Sequence, residues 1–177
     1  MALKSTPDHY GSVAIAIHWV SALLLVGLLA SGFRASGTVD AAAKSGLLHV
    51  HVIAGFAVLV LTAARILWWL FADTKPAELP GTKASHAAAK TVHGLFYVVI
   101  LGMAASGIGM MALSGAGAVV FSNTPAALPD FHAYLPRVPH GIGGRALVAL
   151  LILHVGGALY HHFVLRDRIF ARMRFGR

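Results

Sequence analysis

Four apolar runs, each long enough to cross a bilayer, limit what this chain can fold into. They cover approximately residues 12–33, 47–71, 91–113 and 141–164. A helix needs about 20 apolar residues to span the hydrocarbon core. In lipid no water is available to the backbone, so each run must satisfy its own N–H and C=O groups and is predicted to be a helix. The stretches between them carry turn formers. Residues 34–45 are small and polar, 72–90 hold Pro76, Pro80 and Gly81, and 114–139 hold Pro125, Pro129, Pro136 and Pro139, with room for a short surface helix. The expected fold is all-α, an integral membrane four-helix bundle forming a single domain over residues 1–177, without internal repeat. A signal peptide is the competing reading of the first run. That run is too long for one and contains His18.

Composition narrows the chemistry. Only 11% of the residues are charged, against about 25% in soluble domains. The absence of cysteine excludes disulfides, iron–sulfur clusters, thiolate zinc sites and covalently attached haem. The net charge of +8 does not point to nucleic acid, because Arg166, Arg168, Arg172, Arg174 and Arg177 crowd together after the last apolar run. That is where a membrane protein meets anionic lipid headgroups. Four spans put both termini on one side. That side holds Lys4, Arg65, Lys75, Lys83, Lys90 and the five tail arginines, ten in all; the other holds Arg34, Lys44, Arg137 and Arg145, four in all. The excess predicts cytoplasmic termini.

Histidines inside apolar runs carry the functional signal, since an ionisable group at membrane depth is costly and points to function. His140 and His154 lie fourteen residues apart in the fourth run. Fourteen steps return to nearly the same helix face, off by roughly 40°, and rise roughly 21 Å. The fourth helix therefore offers imidazoles at two depths. Counting along the other helices gives each a partner. His51, near the start of the second run, matches His140, and His18, in the first, matches His154. His49 is about 200° around the helix from His51, so only one can point inward. Gly55, one turn below His51, leaves room beside it for a flat macrocycle, which favours His51. Gly143, Gly144, Gly156 and Gly157 either do the same around the fourth helix or let helices pack closely. A membrane histidine can serve merely as a hydrogen-bond donor between helices. Four of them matched in depth favour two non-covalent haem b groups, each with histidine on both faces of the iron. Zinc fits less well, because the pairs are far apart and no carboxylate lies within the helices.

The pieces Ile17-His18-Trp19, His51-Val52-Ile53-Ala54-Gly55, Ala64-Arg65, His93-Gly94-Leu95, Gly109-Met110-Met111 and His161-His162-Phe163 before Arg166-Asp167, together with His140 and His154, give the chain a further meaning. It resembles the bacterial cytochrome b561 family, small four-helix dihaem cytochromes of the inner membrane linked to quinone. The resemblance covers nearly the whole chain. It implies haem ligands at His18, His51, His140 and His154, ubiquinone as electron partner, and a member type that oxidises superoxide at the periplasmic face.

Several further residues are candidates. His161, seven residues after His154 on the same face, suits a quinone contact, a proton relay or a haem propionate. Arg65, fourteen residues after His51, suits propionates, as do Arg34 and Arg145 on the other side; snorkelling is the plain alternative for Arg65. His93 is expected to be structural or interfacial rather than a fifth ligand. His162 is expected to face headgroups, His9, His86 and His132 to be solvated, and Trp68 and Trp69 to sit in an interfacial belt. With no nucleophile–base constellation and no phosphate-binding loop, the expected chemistry is electron transfer. One reading is an oxidoreductase carrying electrons from a periplasmic reductant, such as superoxide, to ubiquinone. The other is a membrane-anchor cytochrome subunit between a partner dehydrogenase or hydrogenase and the quinone pool.

Overall fold

The computed structural model describes residues 2–122, 127–167 and 169–175. Pro125, Arg168 and Arg177, named above, lie outside the described residues. Among these residues there are helices and turns but no strand. Four helices are long and apolar enough to span a membrane. Helix α1 is Ser12–Gly37, α2 is Ala41–Leu67, α3 is Lys83–Ser114 and α5 is Arg137–Tyr160. A short helix, α4, covers Ala116–Val120 in the long connection, and α6 covers Ile169–Arg172 after the last span.

The helices overrun the apolar runs that announce them, and local chemistry explains where they begin. Asp40 caps α2, its carboxylate accepting from the Ala43 N–H at 2.7 Å. Thr82 caps α3 through Ser85 N–H at 3.1 Å. Each cap precedes an alanine-rich stretch with high helix propensity that needs no lipid to be helical. Helices α2 and α5 both end in a wider, π-type turn, at Trp68–Ala72 and His161–Leu165. Arg166, at φ 53°, reverses the chain after the second of these.

The side chains facing outward are those of a protein dissolved in lipid. Leu23 is 73% exposed, Val98 67% and Ile152 67%. Such faces would aggregate in water. The fully covered residues in the spans are few and mostly small or aliphatic, among them Ala14, Ile15, Val58 and Leu147.

The chain divides into two compact units, and each long helix contributes to both. The first unit contains Met1–Ala22, Val60–Tyr97 and Ala149–Arg177. Its polar segments are stitched together by two side chains. Arg172, buried, donates to the carbonyls of Asp8 at 2.9 Å, Pro7 at 3.1 Å and Ala77 at 2.7 Å. Asp73 accepts from the Ser5 N–H and hydroxyl and from Trp68 Nε1, at 2.8–3.1 Å. Trp19 Nε1 donates to the Met173 carbonyl at 3.0 Å. Arg172 is thus a structural tie and not a lipid-facing tail residue. His86 is not simply solvated either; it pairs with Glu78 at 2.9 Å.

The second unit contains Leu23–Leu59 and Val98–Val148. Here α3 and α5 pack so closely that a Cβ at Gly143 would collide with the Met103 side chain. His49, on the far side of α2 from His51, anchors the end of α4 through the Val120 carbonyl at 3.0 Å and lies against Phe121.

Candidate haem sites

In the second unit, His51 on α2 and His140 on α5 face one another with ring centres 6.1 Å apart and planes at 67°. Both imidazoles are held from behind in the same way. Ser31 of α1 donates its hydroxyl proton to the Leu28 carbonyl at 3.1 Å, and His51 Nδ1 lies 3.1 Å from both the Ser31 oxygen and that carbonyl. Ser106 of α3 donates to the Met103 carbonyl at 3.0 Å, and His140 Nδ1 lies 3.0 Å from the Ser106 oxygen. A serine hydroxyl has one proton, and here its own helix takes it. What remains toward each imidazole is an acceptor, so each Nδ1 carries the proton. Each Nε2 keeps its lone pair. A glycine follows each serine. A Cβ at Gly32 would stand 3.0 Å from His51 Cε1, and one at Gly107 would stand 3.4 Å from His140 Cε1.

These two rings line a cavity of about 750 Å³, at the size of sites for large ligands. Its walls are mainly apolar, with Leu25, Val58, Met103 and Leu147 among them, and Gly55 and Gly144 also border it. Lys44, Arg137 and Arg145 give it a basic side, with Asp130 the acidic residue there. Arg137 and Arg145 lie one turn to either side of Gly141. A Cβ at Gly141 would be 2.9 Å from one guanidinium and 3.8 Å from the other. Neither arginine has a carboxylate partner among the described residues. Two guanidinium groups converging without a counter-ion suit an anionic ligand. Of the sequence candidates, Arg145 borders this cavity and Arg34 does not. Arg137 and Lys44 do, although sequence position alone gave no reason to prefer them.

In the first unit, His18 on α1 and His154 on α5 face one another with ring centres 6.0 Å apart and planes at 59°. His93 of α3 stands edge-on to His154 at 5.3 Å, and Phe96 does so at 5.6 Å. Trp19 packs edge-on to His18 at 5.4 Å. Arg65 is close enough to His18, His93 and His154 to act on each electrostatically. Among the described residues no hydrogen bond reaches a ring nitrogen of His18 or His154. His161 Nδ1 is paired with Asp167 at 2.5 Å, on the turn that closes α5.

Comparison with known proteins gives this arrangement its family. The model of the prokaryotic cytochrome b561 family matches residues 9–176.

The chain belongs to the prokaryotic cytochrome b561 family.

It is similar to cytochrome b561 homolog 2 of Escherichia coli K12, 28% identical over 98% of this chain and 95% of that protein. It is similar as well to cytochrome b562 of Cereibacter sphaeroides, 29% identical over 93% and 94%. A third relative, named probable superoxide oxidase CybB, from Yersinia pestis, is 26% identical over 93% and 94%. The protein is accordingly a multi-pass cytochrome of the bacterial inner membrane, carrying b-type haem and transferring electrons.

The two histidine pairs fit that cofactor. With a metal–imidazole bond of about 2 Å and roughly 1.1 Å from nitrogen to ring centre, two rings on opposite sides of one ion would lie about 6 Å apart. The pairs at 6.1 and 6.0 Å match this distance, and His93 and His154 stand closer, at 5.3 Å. Gly32 and Gly107 let the His51 and His140 rings lie close against the neighbouring helices.

Proposed function

We propose that His51 and His140 ligate one haem b, that His18 and His154 ligate a second, and that the protein carries electrons from a periplasmic reductant, superoxide among them, to ubiquinone. The observation that carries this reading is the pair of facing imidazoles, repeated at two levels of α5, each pair about 6 Å apart. A haem iron held in such a pair supplies one-electron chemistry, alternating between ferric and ferrous states.

The remaining roles belong to the chain. In this reading Arg137, Arg145 and Lys44 hold the propionates of the haem at His51 and His140, and Arg65 does so at the other. The lysine and arginine excess predicts cytoplasmic termini, which puts the His51–His140 site on the periplasmic side. Its basic residues then draw a small anion such as superoxide toward the haem edge. His161, oriented by Asp167, is the group that meets the quinone and exchanges protons with it. The related protein named as a superoxide oxidase supports the choice of donor.

Purified protein in detergent tests the proposal. Enzymatically generated superoxide should reduce its haem within the mixing time, and a soluble ubiquinone should reoxidise it. A protein that stays oxidised until a dehydrogenase or hydrogenase partner is added would instead be an anchor subunit.

A further inference from the structure

The two units treat their histidines differently. In the second, each imidazole Nδ1–H meets an acceptor on a neighbouring helix. In the first, no such acceptor is present among the described residues, and Arg65 places a positive charge nearby. The acceptors come from one device used twice. Ala30-Ser31-Gly32 on α1 and Ala105-Ser106-Gly107 on α3 each present a serine whose proton goes to the carbonyl three residues earlier, followed by a glycine that admits the ring.

We propose that Ser31 and Ser106 are positioning residues that fix His51 and His140 and lower the reduction potential of the haem between them. The argument rests on the ligand assignment above. An imidazole that donates from Nδ1 is a more basic ligand through Nε2, as seen wherever a metal-bound histidine is buttressed from behind. A more basic ligand favours the ferric state, and a nearby cation favours the ferrous one. Cations lie beside both pairs, Lys44, Arg137 and Arg145 bordering the His51–His140 cavity and Arg65 acting on His18 and His154, so the buttress is what sets the two apart. The serines act differently in degree. At His51 the Leu28 carbonyl shares the load at the same 3.1 Å. At His140 the Ser106 hydroxyl, at 3.0 Å, is the better-placed acceptor, although the Met103 carbonyl also lies within reach.

Spectroelectrochemical titration of the haem-loaded full chain tests this, with His51→Ala used to identify which midpoint belongs to which site. Ser106→Ala should raise the midpoint of the haem that His51→Ala removes, by the equivalent of about tenfold in its reduction equilibrium, about 59 mV for one electron. The other midpoint should stay in place. Ser31→Ala should shift the same haem by less, and Ser106→Thr, which keeps the hydroxyl, should restore the original value. Loss of that haem in Ser106→Ala but not in Ser106→Thr also supports the proposal. It is overturned if both alanine variants titrate as the unmodified protein does, or if the shifted haem is the one lost in His18→Ala. A protein with one haem or none refutes the ligand assignment itself. Two haems with unmoved midpoints refute only the serines' role.

Discussion

The ring of His51 is positioned by residues of another helix, Ser31 and Gly32 of α1. A Cβ at Gly32 would stand 3.0 Å from His51 Cε1, tight enough that the imidazole has to move by a few tenths of an ångström. Gly32→Ala should therefore weaken haem occupancy of the His51–His140 site about tenfold. Gly107→Ala, with 3.4 Å available, should cost much less. Haem titration of the two purified variants, followed at the Soret band, checks the order. Spacing points to the four histidines and to Gly55 as room beside His51, but not to the glycine that touches the ring. Gly55 lies one turn from His51 along the same helix, which sequence can see, and it does border the cavity. The glycine that touches the ring comes from α1, and only tertiary packing shows that. Ser31 and Ser106 were equally silent, since a serine in an apolar helix usually satisfies itself on its own backbone. A related prediction concerns charge. Replacing both Arg137 and Arg145 with glutamine should lower haem retention at this site and slow reduction by superoxide at low ionic strength. Stopped-flow rates against salt concentration read the effect.

Element boundaries were set by forces the hydropathy pattern does not contain. Periodicity and greasiness located the four spans. The helices run further because Asp40 and Thr82 cap alanine-rich stretches. The wide turns that end α2 and α5 left no mark in the sequence. The polar ends of the first unit are tied by Asp73 and Arg172, both of which look like ordinary loop and tail charges. Burial pushes the Asp73 carboxyl up, but hydrogen bonds from Ser5 and Trp68 outweigh it and hold the group below its ordinary value. A carboxyl held low in the folded state contributes stability above its unfolded value, near 3.9, and loses it as pH falls through the folded value. Thermal unfolding followed by circular dichroism should show this acid loss. Asp73→Asn should reduce it and lower stability at neutral pH by about 1 kcal/mol. Arg172→Ala, which removes donors to three carbonyls, should cost about 2 kcal/mol or more. Neither change should alter the haem spectrum.

For the molecule as a whole, function was legible because membrane chemistry is sparse. Among so many apolar residues an intramembrane histidine stands out, and four of them at matched depths name a cofactor. Of the basic cavity wall, Arg145 is legible in the sequence as a propionate candidate, whereas Lys44 and Arg137 count there only toward the charge of their side, since they belong to a connection and a helix end. The exposed apolar surface of the helices fits a membrane-spanning bundle, and the family match, with ring pairs about 6 Å apart, fits b-type haem. The central claim is that these rings hold two haems in a fixed pairing. The most direct test is haem per chain, by pyridine haemochrome assay, for the unmodified protein and for single alanine variants of the four histidines. Two haems should be found in the unmodified protein. His51→Ala and His140→Ala should each lose one and the same spectral component, and His18→Ala and His154→Ala should each lose the other. A single haem in the unmodified protein, or His51→Ala and His154→Ala removing the same component, would contradict the account.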